Sequence, residues 1–82
     1  MLVYFMSNDY KPGDTAFYHE MGEVLKVQVL ENNSTEKEQS YKLKILAVVQ
    51  ESRVVKPSKI GEEFEAWALK NAGHGGWHMG SS

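Results

Sequence analysis

Two β-patterned tracts joined by a wholly polar loop constrain this chain more than any other feature. Residues 22–31 read GEVLKVQVLE and residues 41–51 read YKLKILAVVQE. The linking residues 32–40, NNSTEKEQS, contain no apolar side chain. In the first tract Leu25, Val27 and Val29 alternate with Lys26 and Gln28. In the second, Tyr41, Leu43, Ile45, Ala47 and Val49 alternate with Lys42 and Lys44. A strand sends successive side chains to opposite faces, so this alternation predicts two half-buried strands of one hairpin. The apolar set of each tract is the expected core face. A bulge or bend is expected near Val48 and Val49, where alternation weakens.

The flanking sequence extends the pattern. Pro12 and Gly13 predict a turn, because proline presets φ and glycine accepts positive φ. A short strand is expected over 15–19, and Gly22 marks entry into the first long strand. Residues 53–56, RVVK, read as a short strand ended by Pro57. Residues 62–71, EEFEAWALKN, fit two periods. A helix would align Phe64, Trp67 and Ala68; a strand would put Phe64, Ala66 and Ala68 on one face, opposite Glu65, Trp67 and Leu69. A meander needs another strand, so the extended reading is preferred. Residues 77–79 read as a last short strand. The expected fold class is mostly β, either a small five-stranded barrel or a strongly bent meander sheet. Closure would remove exposed sheet edges.

The run Pro12, Gly13, Asp14, Thr15, Ala16, Phe17, Tyr18, followed by Gly22, Glu23, Val24, resembles the opening of small SH3-like barrels of the KOW and Tudor kind. In those a Gly-Asp pair precedes a short apolar strand, and a glycine leads into a long one. The resemblance covers the first third of the chain by motif and the rest by strand count. The short spacing between the two glycine elements and the long hairpin loop depart from the pattern. The resemblance implies a five-stranded, strongly bent sheet used as a binding module for proteins, peptides or nucleic acids. No binding residue is carried over from it.

The 82 residues allow one domain spanning 1–82, with residues 1–9 and 80–82 expected to be flexible or, at the Gly-Ser-Ser tail, appended. A chain this short buries only about 60–65% of its unfolded surface, so packing or self-association must supply its stability. It has no cysteine, which excludes disulfides and thiol chemistry and suits a reducing cytoplasm. No apolar run is long enough to span a membrane, and no membrane partner is expected.

The net charge of −2 conceals an uneven distribution. Residues 1–40 carry −4, residues 41–60 carry +4 and residues 61–82 carry −2. Two readings of the basic middle follow. Lys42, Lys44, Arg53 and Lys56 could neutralise carboxylates on neighbouring strands, or form a patch for an anionic partner. Interleaving of Glu23, Glu31 and Glu63 among them would favour structural pairing.

Catalytic patterns are absent: the chain has no G-x-S-x-G, P-loop, H-E-x-x-H or G-x-G-x-x-G. His74 and His78 stand four apart, but glycines at 73, 75, 76 and 80 oppose the helix that would make them joint metal ligands. No cofactor or metal is expected. The aromatic residues exceed what so small a core needs. These considerations predict a non-enzymatic module that binds a protein partner, by self-association or by inhibiting another protein. Tyr18, Trp67 and Trp77, with Lys42, Lys44, Arg53 and Lys56, are the candidate partner-binding residues. The alternative is nucleic-acid binding through the basic strand face at residues 41–60, with an aromatic stacking platform.

Overall fold

A computed structural model describes residues 10–69 and 76–80. Five antiparallel strands form one curled sheet, a half-barrel, and the described residues contain no helix. The strands are β1 (Thr15–Glu20), β2 (Glu23–Asn32), β3 (Glu38–Gln50), β4 (Glu63–Leu69) and β5 (Trp77–Gly80). Their order across the sheet is β4-β3-β2-β1-β5. Four strands follow as a meander, and β5 returns to pair with the free edge of β1. The extended reading of residues 62–71 holds over β4: Phe64, Ala66 and Ala68 face inward, and Glu65, Trp67 and Leu69 face outward.

Three one-residue bulges interrupt the β2–β3 ladder. Val49 and Leu46 are extra on β3, and Leu30 is extra on β2. Each bulge increases local twist and bends its strand, which curls the sheet around its apolar face. Bulges also reverse side-chain parity, since one residue of slip exchanges the two faces of a strand. This corrects the expected core face of the second tract. Tyr41, Leu43 and Ile45 are buried, but beyond the Leu46 bulge it is Val48 that packs on the core, while Val49 is exposed.

The β1–β2 connection is a two-residue turn. Met21 (φ 51°) and Gly22 (φ 83°) both have positive φ, between the paired Glu20 and Glu23. Positive φ at both central positions makes this a type I′ turn, whose twist matches that of the flanking strands. The polar hairpin loop is shorter than its sequence suggests, because β3 begins at Glu38. Backbone bonds from Asn33 N to Ser40 O and from Thr35 N to Glu38 O close it.

Residues 53–56 are not a strand, contrary to the sequence expectation. The Ser52 hydroxyl accepts the amides of Val54 and Val55 at 3.0 and 3.3 Å, so these donors are satisfied locally and cannot join a ladder. The whole 51–62 segment is a loop held at several points.

Aromatic rings fill one end of the interior. Tyr18 stacks on Trp77 with centroids 5.6 Å apart and meets Phe64 edge-on at 5.0 Å. The Trp77 indole then reaches across the open side of the half-barrel. Its Nε1–H donates to the Trp67 carbonyl at 3.0 Å, linking the two edge strands.

Candidate functional site

The outer face of β3 and β4 is built from cross-strand pairs. Lys42 lies opposite Glu31 on β2 and Glu65 on β4, and Lys44 lies opposite Glu63. The Lys42 ammonium is 3.8 Å from the Glu63 carboxylate, with both side chains half-exposed. An exposed pair of this kind contributes about 0–1 kcal/mol, but it also cancels local positive potential. Glu31 and Glu63 therefore interleave with the strand lysines. Glu23 does not: it is buried at the start of β2 and turned toward the 51–62 loop. Arg53 and Lys56 sit on that loop, away from Lys42 and Lys44 in the fold, and are exposed. The candidate cations thus occupy two different places.

The candidate aromatics divide as sharply. Tyr18 is 4% exposed and Trp77 is 6% exposed, so both rings are interior walls. Alternation on β1 turns Tyr18 inward and leaves its neighbour Phe17 on the outer face. Trp67 is 52% exposed on the outer side of β4, and Leu69, two residues on, is 40% exposed. The Trp67 carbonyl accepts the Trp77 indole N–H, and its own ring is half-exposed.

Several groups gather at the C-terminal end of β1, beside the Tyr18–Trp77 stack. The Tyr18 hydroxyl donates to Glu20 Oε1 at 2.8 Å. Burial, then that bond and the negative charges of Glu20 and Glu23, hold the phenol well above its ordinary range. His19 and His78, paired across β1 and β5, stack with centroids 4.5 Å apart and planes 3° from parallel. They border an open cleft of about 280 Å³ with Glu20, Glu23 and Gln50. Among the described residues no three metal-ligating side chains converge. His74, the other member of the H-x-x-x-H spacing, lies outside the described residues.

The 51–62 loop is pinned to this end of the sheet. Glu23 accepts the Ser58 amide on Oε2 and the Ser58 hydroxyl on Oε1, each at 3.0 Å. The Ser52 hydroxyl donates to the Met21 carbonyl, and the Gln50 amide donates to the Gly22 carbonyl, each at 2.7 Å. Above these anchors Val54, Val55 and Ile60 are exposed. Sequence reasoning missed this surface because RVVK has the composition of a strand; the serines that bracket it were the available signal.

No protein-family model, curated protein or solved structure matches this chain. The fold defines it as a small curled antiparallel β domain. No helix among the described residues is long and apolar enough to cross a membrane.

Proposed function

We propose that this chain is a non-enzymatic binding module, of the small SH3-like barrel type, that acts through protein–protein contact. The observation carrying this reading is Trp67, a half-exposed indole on the outer side of an edge strand, beside the exposed Leu69. The apolar surface that a half-exposed indole leaves in water is costly, and aromatic anchors of this kind dominate protein interfaces. The order in which β5 returns to β1, together with the bulged β2–β3 pair, supports the barrel type. A cysteine-free chain suits the cytoplasm, the proposed location.

The test is Trp67→Ala, with circular dichroism confirming the fold. Loss of the wild-type protein's association supports the reading; retention of every association overturns it. Nucleic-acid binding along residues 41–60 is the competing function, and the carboxylates opposite Lys42 and Lys44 weaken its electrostatic basis. A low-salt titration with single- and double-stranded DNA and RNA separates the two.

A further inference from the structure

The loop between β3 and β4 has an unusual surface. Between Glu51 and Glu62 at its two ends it carries Arg53, Lys56 and Lys59. The one salt bridge among the described residues joins Lys42 and Glu63, so none of these three cations is ion-paired there. Between them stand Val54, 72% exposed, and Ile60, 69% exposed. The loop also has a fixed shape. Both oxygens of the buried Glu23 hold Ser58, the Lys59 amide donates to Glu62 Oε1 at 2.9 Å, and the Gly61 amide donates to the Ile45 carbonyl at 2.8 Å.

The segment that follows carries the complementary surface. β4 carries Glu63 and Glu65 and no cation, with Lys42 and Lys44 opposite them on β3. Trp67 and Leu69 lie exposed beside those acids. Lys42 approaches Glu63, but Glu65 forms no ion pair among the described residues. Within one molecule the Gly61 turn starts β4 against Ile45 while Ser58 is held at Glu23, and no loop cation reaches a β4 carboxylate.

We infer that two copies of this chain pair about a two-fold axis, the loop of each docking on the outer strip of β4 of the other. This rests on the reading of Trp67 as part of a binding surface. A two-fold contact is self-complementary, so one contiguous stretch carrying both a surface and its complement satisfies both halves at once. Cations meet carboxylates, and Val54 and Ile60 meet Trp67 and Leu69. Competing occupants fit less well. A nucleic acid or an anionic bilayer would attract the loop but would also meet Glu62 and Glu65, which form no ion pair among the described residues. Neither needs a loop of fixed shape, whereas preorganisation lowers the cost of docking on a protein surface.

The experiment is sedimentation velocity on the full chain from about 10 to 500 μM, the range in which a small interface associates. The expected result is a monomer–dimer equilibrium, weakened about tenfold or more by high salt. Arg53→Glu with Lys56→Glu, and separately Glu63→Lys with Glu65→Lys, each abolish the dimer. An equimolar mixture of the two variants restores it, because each loop then meets a strip of opposite charge. Ile60→Ser, which leaves the sheet untouched, weakens pairing if a charge variant fails to fold. A wild-type chain monomeric throughout overturns the proposal, as does a dimer indifferent to these substitutions or variants that do not complement. The two readings fail separately: a strictly monomeric chain refutes self-pairing, while the Trp67 reading falls only if Trp67→Ala alters no association with any protein.

Discussion

Replacing Trp77 by phenylalanine tests whether one side chain holds the half-barrel together. β4 and β5 are the two edges of the sheet, and the indole spans them, donating to the Trp67 carbonyl at 3.0 Å while its ring stacks on Tyr18. Phenylalanine keeps a ring at the stack but removes the donor. A net hydrogen bond is worth about 1 kcal/mol. Shrinking the ring system forfeits burial comparable to one or two methylenes, at about 0.8 kcal/mol each. The expected loss is about 2–3 kcal/mol, a large share of the roughly 5 kcal/mol available to a small domain. Urea unfolding followed by circular dichroism reads it as a lower midpoint at similar slope. Hydrogen exchange adds a local signature, with faster exchange along β4 and β5 than in the β2–β3 ladder. An isostere with sulfur in place of the indole N–H separates the two contributions, and should cost only about 1 kcal/mol. An unchanged midpoint in Trp77→Phe, or a loss spread evenly over all five strands, would refute the idea that this bond closes the sheet.

Three further outcomes follow from the turn, the buried phenol and the pinned loop. Met21 holds φ at 51°, a conformation costing an ordinary residue about 1–2 kcal/mol and tolerated by asparagine, so Met21→Asn should stabilise the domain by about 0.5–1 kcal/mol in thermal unfolding. The Tyr18 phenol is raised by burial and by its bond to Glu20, so its stabilising contribution is complete below the unfolded value of about 10 and is lost as pH climbs toward the folded one. Above pH 10 the wild type should therefore lose about 1.4 kcal/mol per pH unit more than Tyr18→Phe; parallel stability curves would contradict this. Ser58→Ala removes the hydroxyl that Glu23 accepts, and should destabilise the fold by about 1–2 kcal/mol while hastening tryptic cleavage at Arg53, Lys56 and Lys59. Equal cleavage rates in the two proteins would mean that the loop is not held there.

The sequence by itself determined the class of fold and most of its faces. Alternation in β2 and β4 named the buried residues correctly because a strand's period is two and nothing interrupts it within Leu25 to Val29 or Phe64 to Ala68. It also located one bulge, at Val49, where the pattern faltered. Tertiary structure decided the rest. The Leu46 bulge reversed the end of β3, an effect that no count of apolar residues reveals because parity depends on ladder register. The basic run at 41–60 looked like one surface, but the register set its strand lysines opposite Glu31, Glu63 and Glu65 and left Arg53 and Lys56 on a separate loop. Charge along a chain becomes a surface only through strand pairing. The two tryptophans were equal candidates in the sequence. Strand parity sent Trp77 inside and Trp67 outside, and the bond between them closes the sheet because the two edges end within reach of one indole.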